Sequence, residues 1–374
     1  MATDVLADEA ALRRGRRERA LAQMESHGID VLLLGREANA RYVAGAPRLW
    51  TAGTRPFGPS CVVVRATGAI HLVSTWDEGI PEDIPHENLF GITWNPGNLL
   101  AWLQGIEGAA EARRVGTDSL TPRFARLLPK VFPGAELVDA EPVLQAARRI
   151  KLPEEIDAIR VSVSVAEQAL AAAVAELRPD VSERHLAAAF MGEMANQGVT
   201  TPATQRVARI TSGADEHRRD GAYVVGPSDV VTFDAGVVAG GYVGEVARTW
   251  PAGRAACDGP TRELYQRAEA LWGRLLEACQ VDAPTSDLLA AYWDSGQEPP
   301  SFPIAHGLGL GFDVPVVTGH LPNTAAKERF EPGMVLAITA YVANGRQRSV
   351  QRKDVVLIGG DGPEVLTSSP DWHG

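Results

Sequence analysis

Cysteine is scarce in this chain: three among 374 residues, Cys61, Cys257 and Cys279, none at the spacing of a zinc knuckle or a redox pair. That excludes a disulfide framework and fits a reducing compartment. Long apolar runs are also missing, and no stretch reaches the roughly 18 residues that a membrane-crossing helix needs. The basic run "RRGRRER" at 13–19 opens like a signal peptide, but "ALAQMESHGID" follows it with no apolar segment. Positive charge is not in excess: 36 basic against 47 acidic residues leave a formal net charge of -11. Such a balance repels phosphate backbones and anionic lipid, so neither nucleic acid nor a membrane is expected as a partner. Repeats and low-complexity tracts are absent too. The expectation is a soluble cytoplasmic protein.

The composition is that of a globular chain, with 45% hydrophobic and 22% charged residues, and the length suits two domains. In the first part, helix formers lead through His27-Gly28 into the apolar run "DVLLL", and strand-like "SCVVVRA", "AIHLVST" and "RRVGTDS" alternate with helical stretches. This predicts an α/β domain over 1–147. The texture then changes. Residues 148–374 open with Pro153 ahead of acidic residues, a helix start, and long Ala-rich stretches. Strands separated by Gly and Pro follow, "RVARITSG", "DVVTFDAG" and "GGYVGEVARTW", then the helix "TRELYQRAEALWGRLLEACQ" and further strands. Helices and strands are grouped here, which reads as α+β.

Chemistry concentrates in "FDAGVVAGGYVGEVARTW" at 233–250. An apolar strand delivers Asp234 to its end, where Gly236 is expected to let the chain turn, and Glu245 follows on the next strand. Carboxylates on adjacent antiparallel strands lie within about 5 Å of each other and can converge on one cation.

The chain resembles the creatinase, aminopeptidase P and prolidase family. The resemblance rests on "NARYVAGAP" at 39–47, "RRIKLPEEIDAIR" at 148–160, the D-x-G-x4-G-Y spacing at 234–242, "HGLGLGF" at 306–312, "EPGMVLAI" at 331–338 and "RKDVVLI" at 352–358, all in order. It implies a pita-bread C-terminal domain and, in the metallopeptidase members, two ions held by two aspartates, a histidine and two glutamates. Carried over residue by residue, Asp234 matches the first aspartate and His306 the histidine. Glu245 stands at the second aspartate, Thr339 at the first glutamate and Lys353 at the bridging glutamate.

Asp234, Glu245 and Lys353 together leave one net negative charge, which two divalent ions would turn strongly positive. At about 4 Å and an effective dielectric of ~20, each unit-charge term from the lysine is about 4 kcal/mol. The expectation is therefore no metal and no other cofactor, with Lys353 paired to Asp234 or Glu245. A single divalent ion on Asp234, Glu245 and His306 is the alternative.

The resemblance extends to relatives, the creatinases, that hydrolyse C–N bonds without metal. It places His217 at the family's substrate-side histidine, where it serves as acid and base. The candidate catalytic set is His217, Asp234, Glu245, His306 and Lys353, acting on a C–N bond of a small polar nitrogen-containing substrate. Arg48, Trp50 and Arg55, on a loop that in the family reaches over a partner subunit's site, are candidate substrate contacts, and so are Tyr242 and Tyr341. A homodimer follows from the same loop. Arg248 reads as a structural partner of the acidic site, "GLGLG" at 307–311 as close backbone packing, and Asp313 lies near the place of a second family histidine. The rival functions are a metal-dependent Xaa-Pro dipeptidase or metal-assisted lyase, and a catalytically silent binding protein.

Overall fold

The computed structural model describes residues 9–46, 59–74, 77–93, 95–204, 207–211, 223–252, 258–319, 328–345 and 348–372. Its contacts divide the chain into two units, Asp8–Leu152 and Pro153–Gly374. The division falls five residues after the expected boundary at 147. That boundary would have cut a helix whose last turn buries Ala147 and Arg148, whereas Pro153 supplies the natural start of the next helix.

The first unit runs α1 (Glu9–Ser26), β1 (Val31–Leu34), α2 (Glu37–Ala44), β2 (Cys61–Val64), β3 (Ile70–Val73), β4 (Leu89–Phe90), α3 (Pro96–Gln104), β5 (Arg114–Thr117), α4 (Pro122–Ala125), β6 (Glu136–Asp139) and α5 (Glu141–Arg149). Its sheet has the order β4-β3-β2-β1-β5-β6, with β1 parallel to β5 and antiparallel to β2. The all-apolar β1 and β2 lie in its middle, buried on both faces, as such runs must be. In α1, Leu12, Arg16, Ala20 and Met24 are buried at four-residue intervals, the stripe of an amphipathic helix. The basic run therefore belongs to a folded helix. "NARYVAG" forms α2, which ends on Gly45 in the left-handed region (φ 72°). Buried Asn39 donates to Asp118 (2.8 Å) and Glu141 (2.9 Å), and the Tyr42 hydroxyl donates to the Ala147 carbonyl (2.8 Å). This motif is a structural clamp.

The second unit runs α6 (Pro153–Ala175), α7 (Glu183–Asn196), β7 (Ala208–Thr211), β8 (Val230–Ala239), β9 (Tyr242–Pro251), α8 (Gly259–Ala278), α9 (Asp287–Asp294), β10 (Ala305–Leu308), β11 (Phe312–Val317), β12 (Val335–Ala343), β13 (Ser349–Gly359) and β14 (Gly362–Val365). Seven strands form an antiparallel sheet in the order β11-β10-β12-β13-β9-β8-β7, and β14 pairs with β13. The helices cover one face. Val231, Phe233, Ala235 and Val237 of β8 share a core with α6 and α7, so the even-numbered Thr232, Asp234 and Gly236 lie on the other face. Gly244 on β9 faces α6 so closely that an added Cβ would sit 2.3–2.4 Å from Ser162 and Val163 backbone atoms. Its neighbour Glu245 is thereby aimed the opposite way. Among the described residues α6 is the one helix long and apolar enough to cross a membrane by composition, but half of it is buried and it packs on α7, β8 and β9, which is the place of a core helix.

The turn expected at Gly236 is not there. β8 continues to Ala239, and the reversal comes at Gly240 and Gly241, both at positive φ (56° and 90°). Gly236 has another use: a Cβ there would meet Thr204 at 3.0 Å, Ala203 at 3.1 Å and the Glu245 side chain at 3.4 Å. It makes room beside the carboxylate.

Candidate functional site

Strand register assembles the site. Asp234 lies opposite Ala247 and Gly236 opposite Glu245, so the two carboxylates are diagonal neighbours on one face of β8 and β9. Lys353 on β13 is also opposite Ala247, and on its other side it is opposite Thr339 of β12. Ala247 is the small residue over which the lysine reaches the carboxylates. His306 of β10 pairs with Ala337 of β12, again a small residue on the face of Thr339. A histidine, two carboxylates and a lysine from four strands thus converge.

The Lys353 ammonium lies 2.7 Å from Asp234 Oδ1 and 3.3 Å from Glu245 Oε2. Glu245 Oε2 is also 3.4 Å from His306 Nε2. Glu245 and Lys353 are buried, while 34% of the Asp234 side chain is exposed, so Asp234 is the open member of the group. Burial by itself would raise the Glu245 pKa, but the Lys353 charge and then His306 outweigh it and hold the carboxyl at about 2. Burial would likewise pull Lys353 down, but Asp234 and Glu245 hold it above the ordinary lysine value. Both groups are therefore charged at neutral pH. His306 Nδ1 is 3.3 Å from the Gly307 carbonyl, so both ring nitrogens face acceptors. A neutral ring can donate to one of them, a protonated ring to both. Exposed Phe312 packs T-shaped against this imidazole, with ring centroids 4.7 Å apart.

Two divalent ions do not fit these donors. The place between Asp234 and Glu245 is taken by an ammonium, and Thr339 and Lys353 supply no carboxylate. Among the described residues no group of three or more His, Cys, Asp or Glu is arranged to hold a metal ion.

Of the remaining candidates, Tyr341 is half-buried, opposite Gln351 and so on the site's face, and it packs T-shaped against Phe302 with ring centroids 5.5 Å apart. Tyr242 is not in the site. It is fully buried and its hydroxyl donates to Glu155 at 3.0 Å, so it serves the anchoring of α6 and is unavailable to substrate. Arg248 also needs correction. Three residues from Glu245, it leaves the opposite face of β9 and pairs there with Asp354 (2.5 Å) and Asp371 (3.2 Å) rather than with the site carboxylates. Asp313 is buried on β11, opposite Gly307. The glycines after His306 do pack backbone closely, since a Cβ on Gly307 would lie 2.6 Å from the Val314 carbonyl oxygen. His217, Arg48, Trp50 and Arg55 lie outside the described residues.

Two participants were not anticipated from the sequence. Gln351, two residues before Lys353 on the same face, donates from Nε2 to Asp234 Oδ2 (3.2 Å), and it accepts from Arg209 of β7 (3.2 Å) on Oε1. The period-two spacing from Lys353 marks Gln351. Only pairing of β7 with β8 brings in Arg209.

The comparisons agree with this architecture. Residues 157–359 match the model of metallopeptidase family M24, and residues 16–150 match the creatinase/prolidase N-terminal domain. An uncharacterized peptidase of Bacillus subtilis, YqhT, is 27% identical over 75% of this chain and 80% of its own length. A Xaa-Pro dipeptidase of Pyrococcus horikoshii is 23% identical over 92% of this chain and 95% of its own. Among solved structures, a prolidase from Pyrococcus horikoshii OT3 superposes with a TM-score of 0.76 at 21% identity, covering 95% of this chain and 99% of that one.

Proposed function

The chain belongs to metallopeptidase family M24, and we propose that within this hydrolase family it is a metal-independent member that cleaves a C–N bond of a small polar nitrogen-containing substrate. One observation carries the reading: the Lys353 ammonium, 2.7 Å from Asp234 and 3.3 Å from Glu245, occupies the place of a bridging cation.

Hydrolysis of a C–N bond needs a base for water, an acid for the leaving nitrogen and a partner for the oxyanion. Glu245, held at about 2, stays ionised and cannot be the acid. Its use is to orient His306, whose Nε2 lies 3.4 Å from Glu245 Oε2, as a carboxylate behind a catalytic histidine does. His306 then gives its proton to the leaving nitrogen. Asp234, steadied by Lys353 and Gln351, is the open carboxylate that aligns water. Two of the three ammonium donors of Lys353 face carboxylates, which leaves the third for the developing oxyanion. His217 is retained from the sequence as the second acid and base.

The test is turnover of a panel of small amides, dipeptides and amidines by exhaustively chelated protein, followed by mass spectrometry. Activity that survives chelation and disappears in Lys353→Met supports the reading. Activity that returns only when a divalent ion is added overturns it. Full turnover by His217→Ala would remove that residue from the mechanism.

The names of the relatives favour a second reading, a metal-dependent Xaa-Pro dipeptidase with one ion on Asp234, Glu245 and His306. It requires Lys353 to leave both carboxylates. A homodimer is proposed as well, and light scattering at micromolar concentration checks it.

A further inference from the structure

Arg209 projects from β7 on the face that carries the site. It lies opposite Thr232, which lies opposite Thr249, so the three share one face of the sheet. The two threonine hydroxyls bond each other (3.0 Å), and Thr249 Oγ1 also donates to the Gln351 carbonyl (3.1 Å) and accepts from its amide (2.8 Å). These short side chains form a floor, over which the long side chains of Arg209 and Gln351 meet at 3.2 Å.

The Gln351 amide is fixed by its two partners. Its oxygen accepts from the guanidinium and its nitrogen donates to Asp234, so it stands as a neutral spacer between a cation and an anion. The consequence is electrostatic. Lys353 is answered by two carboxylates, and on the other face Arg248 and Arg352 are both answered by Asp354 and Asp371. Among the described residues, no carboxylate lies within ion-pair distance of Arg209, and of its five N–H donors only one is engaged. A half-buried guanidinium with spare, forked donors beside a reaction centre is matched to a carboxylate.

We propose that Arg209, steadied by Gln351, is the anion anchor of this site, and that the substrate is a small nitrogen compound carrying a carboxylate. The inference rests on the reading of this face as the active site. Asp234 and Glu245 repel the same carboxylate, which fixes the direction of binding: the charged end sits at Arg209 and the scissile nitrogen lies over Lys353 and His306. Arg209 is accordingly a specificity residue and takes no part in proton transfer.

The experiment uses the full chain and, as probes, the standard amino acids at pH 7.5 beside their C-terminal amides, with binding read by thermal shift and titration calorimetry. The expected result is that at least one amino acid binds wild type and its amide does not, because only the acid carries the negative charge. Arg209→Met is expected to weaken that acid tenfold or more, and Arg209→Lys to recover part of the loss. Gln351→Glu, which answers the guanidinium internally, is expected to weaken it similarly without removing Arg209. Equal binding of acid and amide, unchanged binding by Arg209→Met, or no carboxylate bound at all would overturn the proposal. Elemental analysis of the same samples keeps the two readings apart. A metal-loaded protein with Arg209-dependent binding contradicts metal independence alone, whereas a metal-free protein with Arg209-independent binding contradicts the anchor alone.

Discussion

Lys353 and Asp354 are neighbours on β13 whose charged ends leave opposite faces of the sheet, Lys353 toward Asp234 and Glu245, Asp354 toward Arg248 and Arg352. Each buried charge is answered on its own face. Removing one therefore strands its partners in a poorly solvated place.

Lys353→Met should cost about 3–5 kcal/mol of stability at neutral pH, because it leaves Glu245 ionised, buried and without its cation. Chemical denaturation measures this. The loss should shrink in the double variant Lys353→Met, Glu245→Gln, which removes both charges.

Acid sensitivity follows from Glu245. Its folded pKa is lowered from 4.5 to about 2, so its contribution is complete above the unfolded value and disappears as pH falls through the folded one. Wild type should lose on the order of 3 kcal/mol between these limits through this group. Glu245→Gln should show a visibly flatter dependence of melting temperature on pH in that window.

Tyr242→Phe separates structure from chemistry. It removes a buried hydrogen bond to Glu155 and should cost about 1–3 kcal/mol of stability, while leaving turnover per folded molecule unchanged. A fall in turnover with stability intact would return Tyr242 to the site.

Gly244→Ala should destabilise by about 3 kcal/mol or prevent folding, since its Cβ would overlap the Ser162 and Val163 backbone of α6. Glu245 would lose its aim in any protein that did fold. Soluble expression and melting temperature check this.

Much of this site is legible in the sequence, because Asp234, Glu245, His306 and Lys353 each sit within a motif whose spacing survives. The face on which Asp234, Glu245 and Lys353 lie also follows from alternation along β8, β9 and β13. Other features depend on pairing that no local pattern encodes. Tyr242 reads as a site residue until α6 brings Glu155 to its hydroxyl. Arg248 reads as a partner of the acidic pair until parity sends it through the other face. Arg209 is one basic residue in a short strand, and only the register of β7 against β8 connects it to Gln351. Helix α9 leaves no clear mark in the sequence, because its eight residues hold too few turns for a period to show. The turn placed at Gly236 belongs to Gly240 and Gly241, because a glycine inside a strand also serves close approach.

The role proposed for the ammonium, that of a replacement cation, is one that substitution should reverse. The triple variant Lys353→Glu, Thr339→Glu, Glu245→Asp restores carboxylates at the positions where the family resemblance expects them. It should acquire divalent-ion binding, detectable by calorimetry and by a rise in melting temperature with added manganese or zinc.

Titration of chelator-treated wild type with manganese, cobalt and zinc, read by calorimetry and elemental analysis, tests the central claim most directly. With Lys353 between Asp234 and Glu245, no ion should bind stoichiometrically. Uptake of one or two equivalents that Asp234→Asn abolishes would contradict the account.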